Sequence, residues 1–283
     1  MVGKVYEAVS DFFAQDDPLA QPAIIGAIPP RFGLLDDSPD RWHAFKEKIF
    51  RLNVDATNGT VYKVFFLGRH GQGFHNVAEE KYGTKRWNEY WAALDGDGEI
   101  VWGPDPHLTN LGEEQARESH AAWRKEISAG IPLPEKLFCS PLTRAISTNQ
   151  IAFTGLYPEP APSTIIVENC REHNGKHACD KRHTRTRIHL DFPKYAFEDG
   201  FTEEDELWTP VRETEDHIEV RARQVLDRVF EEYPETFISI TAHGGIISAL
   251  LRVIGRQSYA LPTGAKTREG VLPVVIKATS VEE

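Results

Sequence analysis

A chain of 283 residues, 40 % apolar and 27 % charged, has the make-up of a globular protein with one large α/β domain or two small ones and a sizeable core. Its formal charge of −11 speaks against nucleic acid as the main partner, and no apolar run approaches the roughly 18 residues of a membrane span. Three cysteines are an odd, sparse set that suits no disulfide framework, and Glu7, Asp11, Asp16 and Asp17 stand where a signal peptide has its apolar core, so the expected compartment is the reducing cytoplasm.

Residues 1–60 read as an irregular N-terminal arm packed on the domain that follows, because Pro18, Pro22, Pro29, Pro30 and Pro39 crowd its middle. Within it, Trp42, Phe45, Ile49 and Leu52 recur at helical spacing. The domain itself is expected over 61–283. Residues 61–67 are mostly apolar, β-branched and aromatic, as in a strand buried on both faces. The run stops at Gly68, and Arg69-His70-Gly71 follows without a gap. Ligands in open α/β sheets collect beyond the carboxyl ends of strands. A cation and an imidazole placed there suit the gripping and attack of an anion, with Gly71 and Gly73 letting the backbone approach it. Residues 77–94 mix helix formers with Trp87, Tyr90 and Trp91, read as core packing in preference to pocket lining, and Asp95-Gly96-Asp97-Gly98 makes a turn.

Thr109 caps a helix that runs to Gly130. Lys136–Cys139 is a second buried strand, and Ser140-Pro141-Leu142-Thr143-Arg144 opens a helix whose free amides and dipole favour an anion near Arg144. A third strand (164–167) leads to Glu172. After an amphipathic helix (219–232), a fourth strand (236–241) ends in Ala242-His243-Gly244-Gly245, with a helix over 246–254. A final strand (271–276) carries Pro273, which suits a sheet edge or a strand start. Strands alternating with helices predict a three-layer α/β/α sandwich on a mainly parallel central sheet. Arg69-His70, Arg144, Glu172 and His243 then fall on one edge. Two arginines and two histidines meeting there call for an anion, and a phosphoryl group fits arginine's fork. In this reading His70, neutral at one ring nitrogen, attacks phosphorus and becomes a phosphohistidine. Arg69, Arg144 and a protonated His243 hold the equatorial oxygens, Gln72 and Asn76 add hydrogen bonds, and Gly244 adds a backbone amide. The cationic side chains leave no need for a metal, and no cofactor is expected.

The run Gly68-Arg69-His70-Gly71-Gln72-Gly73-Phe74-His75-Asn76, followed by Ser140-Pro141-Leu142-Thr143-Arg144-Ala145, resembles the histidine phosphatase superfamily, the phosphoglycerate mutase-like proteins, and more narrowly its fungal phosphomutase-like branch. The resemblance implies that Arg144 grips the phosphate. In the acid-phosphatase branch an aspartate directly follows the second histidine; here Gly244 does. The mutase-like branch instead places a glutamate after the second arginine, which implies Glu172 as general acid and then base, with a pKa raised beside the bound dianion. The competing role for Glu172 is an ion pair with Arg171 or Lys176. His177-Ala178-Cys179-Asp180-Lys181-Arg182 resembles a recurrent segment of the fungal branch, and His177 and Arg182 are candidate contacts to the substrate. Lys181, Arg182, Arg185 and Arg187 form a basic run, either a solvated face or a grip for a second anionic group. Glu198-Asp199 and Glu203-Glu204-Asp205-Glu206 are its expected counter-charges, in a loop able to cover the site. Cys170, His173, His177, Cys179 and His183 also admit a rival reading as zinc ligands, although their spacing repeats no paired-ligand motif. The expectation is thus a metal-independent phosphatase acting on a small phosphorylated metabolite, with a phosphomutase as the alternative. A non-catalytic phosphate-binding protein and a zinc-stabilised interaction module are weaker readings. The oligomeric state is left open.

Overall fold

The computed structural model describes residues 3–257, 259 and 270–281. The chain enters the sheet at once, with β1 (Gly3–Val9). A short α1 (Pro22–Ile25) and the amphipathic α2 (Arg41–Val54) follow, then β2 (Val61–Arg69). Two small helices, α3 (Phe74–Tyr82) and α4 (Thr84–Glu89), precede the long α5 (Asn110–Ile127). The succession then becomes regular: β3 (Lys136–Cys139), α6 (Thr143–Phe153), β4 (Thr164–Ile166), α7 (Arg185–Asp191), β5 (Ala196–Phe197), α8 (Glu215–Glu232), β6 (Phe237–Ala242), α9 (Gly244–Val253) and β7 (Val271–Val281).

The seven strands of the described residues lie in the order β1-β7-β2-β6-β3-β4-β5. From β2 to β5 every pairing is parallel, while β7 runs antiparallel to both β2 and β1. Side chains of a strand alternate between faces, and β2 shows what this does. Phe65 and Leu67 pack with Ile218, Leu226 and Leu250 of α8 and α9 on one side. Val64 and Phe66 pack with Trp42, Phe45 and Ile49 of α2 and Trp123 of α5 on the other. Helices on both faces of a mainly parallel sheet make the three-layer sandwich that the alternation of elements predicts.

The segment before residue 61 is more than an irregular arm. It supplies β1, paired with β7 from Gly3↔Val281 to Val9↔Val275, and α2, whose buried face closes one layer. Only Tyr6 of β1 is buried, so its polar alternation looks like a charged leader when met as sequence. β7 extends five residues beyond the expected apolar run because β1 covers it, and β7 is an interior strand. Pro273 is tolerated there for a local reason. Bonded pairs alternate in an antiparallel ladder, so the Arg69 N–H to Gly270 carbonyl bond (3.0 Å) makes Phe66↔Pro273 a non-bonded pair. The proline nitrogen therefore faces the β1 side, two residues short of where the β1 ladder begins. Thr109 caps α5 as expected, its hydroxyl accepting from Gly112 N at 3.1 Å, and Thr214 caps α8, which begins four residues ahead of the expected start.

Candidate active site

Parallel pairing of β2, β6, β3 and β4 places their carboxyl ends on one edge, where the predicted residues converge. His70 leaves β2 and His243 leaves β6, with ring centroids 4.9 Å apart. Arg144 sits in the first turn of α6 and donates from Nε to His70 Nε2 at 3.3 Å. Glu172 follows the 3-10 turn Glu168–Cys170 after β4. Arg69, His70, Asn76, Arg144, Glu172 and His177 line one cleft.

The tautomer of His70 follows from its neighbours. Nδ1 lies 2.6 Å from the Gly71 carbonyl oxygen, which can only accept, so Nδ1 carries the proton. Nε2 is left with its lone pair toward Arg144 and the cleft. Burial, helped by the charges of Arg144 and Arg69, pushes the imidazole well below its ordinary pKa, which keeps it neutral. His243 is also fully buried, with Nε2 2.7 Å from Ser140 Oγ. Burial and the nearby Arg144 hold it well below its ordinary value. The expected protonated His243 is therefore not the state of the ligand-free protein.

Glu172 is expected to have a raised pKa beside a bound dianion; in the ligand-free protein its pKa is shifted the other way. Burial raises its pKa, but the hydrogen bond from His173, the charge of that ring and the Gly245 amide outweigh that and hold the carboxyl well below its usual range. Oε1 accepts from His173 N at 2.9 Å and Oε2 from Gly245 N, at the start of α9, at 3.1 Å. A Cβ on Gly245 would collide with the Glu172 carboxylate and the His173 ring, so only glycine allows this approach. Glu172 pairs with neither of the expected partners: Arg171 turns to Glu168 and Asp205, and Lys176 to the Asn88 carbonyl.

Several expected contacts have other work. Arg182 is 3 % exposed and its guanidinium is spent on Glu168, the Thr202 hydroxyl and the carbonyls of Thr202, His183, Glu203 and Glu204, which makes it a brace for the acidic loop. Gln72 Oε1 accepts from the Thr109 hydroxyl at 2.8 Å, fixing the loop after β2 to α5. Gly71 is glycine because a Cβ would run into the Gly112 backbone. Gly73 caps α3, its amide donating to Asn76 Oδ1 at 3.0 Å, and beside Gly244 the amide in use is that of Gly245. The acidic loop supplies counter-charges, but not to the expected basic run: Asp205 pairs with Arg171 and Glu198 with Arg228, while Arg182 pairs with Glu168 and Arg187 with Asp191. Of the five residues in the zinc reading, His177 and Cys179 have donor atoms within 4.8 Å of one another and of Asp180. Asp180 is already claimed by Arg144 (2.8 Å) and Arg212 (2.7 Å), and two guanidinium groups are poor neighbours for a metal cation.

Sequence reasoning missed several residues. Asp180 bridges Arg144 and Arg212, and Arg212 lines the cleft from the loop before α8. Asp105, 1 % exposed, accepts from Thr143 N and Thr143 Oγ1, both at 2.8 Å, and so holds the turn that carries Arg144. His75 lies 5.4 Å from His70, ring to ring, and Trp87 is both core and cleft wall. None of these has a local signature apart from His75, whose place inside the motif run was a cue.

An open α/β sheet with an Arg-His-Gly strand end facing a second arginine and a second histidine defines a class, and comparison agrees. Residues 65–266 match the model of the histidine phosphatase superfamily (branch 1), and the chain belongs to that family. It is 41 % identical over 287 positions to a protein of Arthroderma benhamiae named "Probable phosphoglycerate mutase", covering 96 % of this chain and 84 % of the relative. It is 37 % identical over 273 positions to "Phosphomutase-like protein 3" of Candida albicans, covering 96 % and 79 %. Among solved structures, the alpha-ribazole phosphatase from Shigella flexneri aligns with TM-score 0.42 and 19 % identity over 69 % of this chain and 81 % of that one.

Proposed function

We infer that the protein is a metal-independent phosphatase that hydrolyses a small phosphomonoester through a phosphohistidine at His70. The observation that carries this is the His70 ring, pinned through Nδ1–H to the Gly71 carbonyl so that the Nε2 lone pair meets the Arg144 guanidinium in the cleft. In the reaction Arg144 Nε passes its hydrogen bond to a phosphoryl oxygen, and Nε2 attacks phosphorus as the ester P–O bond breaks. Arg69 and Arg144 hold the charge that develops. An arriving dianion also reverses the local electrostatics, raising the proton affinity of His243 and Glu172. His243 then donates to a phosphoryl oxygen, and Glu172 protonates the leaving alkoxide and later takes a proton from the attacking water. The phosphomutase reading rests on the names of the relatives and uses the same residues, with a second hydroxyl in place of water.

Rapid quenching after incubation with a labelled phosphomonoester in EDTA is expected to leave acid-labile, base-stable label on His70. Its His70→Ala variant is expected to lose about 10³-fold or more in turnover. Label on serine or cysteine, or dependence on an added metal, overturns the reading. Transfer to a second hydroxyl of the product, in place of phosphate release, decides for the mutase.

A further inference from the structure

Glu172 presents a difficulty of its own making. A general acid must carry a proton, yet the ligand-free surroundings of this carboxyl keep it ionised. The next residue answers it. His173 lies between two carboxylates, with Nδ1 3.1 Å from Glu172 Oε1 and Nε2 3.0 Å from Glu215 Oε1. A neutral imidazole has one N–H and would turn a lone pair toward one of those oxygens; two carboxylate partners are satisfied only by two N–H groups. The ring is in the cleft wall, 17 % exposed, whereas Glu215 is 65 % exposed on α8. Glu215 is held in turn by Arg252 of α9 at 2.7 Å.

We propose that His173 is a positioning residue that stores, on Nδ1, the proton Glu172 needs, and that substrate binding moves this proton across the hydrogen bond to Glu172 Oε1. The inference rests on the phosphatase reading of Glu172. In the free protein His173 is an imidazolium donating to Glu172 and to Glu215. The groups facing it are those two carboxylates, Arg212 from the loop before α8, and the α9 N-terminus at Gly245. Burial and Arg212 work against the charged ring, but Glu172 and Glu215 outweigh them and raise its pKa above the ordinary value. A phosphoryl dianion beside Glu172 makes the carboxylate the stronger base. The Nδ1–H bond breaks and an Oε1–H bond forms, leaving a neutral imidazole that keeps Nε2–H on Glu215. Rotation about the carboxyl C–O bond turns the new hydroxyl to the leaving oxygen. After the proton departs with the alcohol, the attacking water returns one to Glu172, and release of phosphate sends it back to Nδ1. Over the cycle the Glu172–His173 pair gains or loses no proton beyond those of water and products.

The test is nitrogen-detected NMR of the histidine rings in the intact protein, with His173 assigned by its absence from His173→Gln, before and after saturation with orthovanadate. The expected result is two protonated nitrogens on His173 at neutral pH in the free protein, and loss of the Nδ1 proton alone with vanadate bound. A His173 that is neutral in the free protein, or an imidazolium that vanadate leaves unchanged, overturns the proposal. Glu215→Gln, on the surface and away from the substrate, adds a kinetic readout. It is expected to lower the His173 titration and to slow an alkyl phosphate by roughly tenfold, against the 10² or more a general acid supplies, while a nitrophenyl phosphate is little affected. Equal effects on both esters overturn the relay. Because label on His70 from the nitrophenyl ester needs no acid, its appearance alongside an unchanged His173 would reject this inference and leave the phosphatase reading intact.

Discussion

At the scale of single residues, the site is defined by what its neighbours force on each ring and carboxyl. The Gly71 carbonyl selects the His70 tautomer, and the α9 amide and His173 hold the Glu172 carboxylate in place. Glu172→Gln removes the transferable proton but keeps the shape. It is therefore expected to slow alkyl phosphates by roughly 10²-fold or more, while phosphorylation of His70 by a nitrophenyl ester suffers much less, because that leaving group departs unaided. Dephosphorylation still needs a base, so a burst followed by slow turnover is the trace to look for in stopped-flow absorbance. Equal losses on both esters and no burst would reduce Glu172 to a structural group.

At the scale of elements, the site depends on how helix starts are fastened. α6 has no capping side chain at Leu142; its first free amide goes instead to Asp105 in the loop before α5. Asp105→Ala removes that partner and leaves Thr143 N buried and unpaired, which costs about 1–3 kcal/mol. Because Arg144 is the next residue, kcat is expected to fall along with the thermal midpoint. A loss of stability with unchanged kcat would show that Asp180 and the Cys179 carbonyl suffice to place Arg144. Asp105 was illegible in the sequence for a physical reason: its bond spans 38 positions and joins a loop to a helix start, with no periodicity to mark it. The same holds for Arg212 and Asp180, which matter only once Arg144 has come between the loops. What was legible was local: an apolar run ending in Arg69-His70, a strand running into Ser140-Pro141, and a strand ending at His243. The Arg182 reading failed because a basic run shows charge but not which loops will fold back upon it.

At the scale of the whole molecule, three histidines that burial keeps neutral tie stability to pH. His70, His75 and His243 are each held well below the 6.5 of an unfolded histidine. Below that pH the unfolded chain takes up protons that the folded state refuses, so stability is full above about 6.5 and falls as the pH drops. The limiting slope is about 1.4 kcal/mol per pH unit for each group. His173, with its raised pKa, works the other way: its contribution is present below 6.5 and is lost as the pH rises through its folded value. His177, lowered to about 4 chiefly by burial, acts in the same sense as the first three. Four groups against one predict a thermal midpoint that falls steadily from neutral pH toward about pH 5 and recovers in part with bound phosphate, as calorimetry would show. A midpoint constant over that range would mean that the cleft admits water and charge to these rings.

The place of β7 has a further consequence, for the order in which the molecule is made. The strand that carries Arg69 takes its two sheet neighbours from β6 and β7, both encoded far downstream. A chain emerging from the ribosome amino end first holds this apolar strand with both backbone edges bare while most of the remaining sequence is translated. Bare edges on such a strand recruit other strands, from the same chain or from a neighbour. Helices α2 and α5 are available early to cover one face, but among the described residues no early element bonds to the edges. The nascent protein therefore relies on shielding of this strand until Val271–Val281 has been synthesised and slots in between β1 and β2. The catalytic edge of the sheet is completed after translation has delivered its final strand, not as the motif itself emerges.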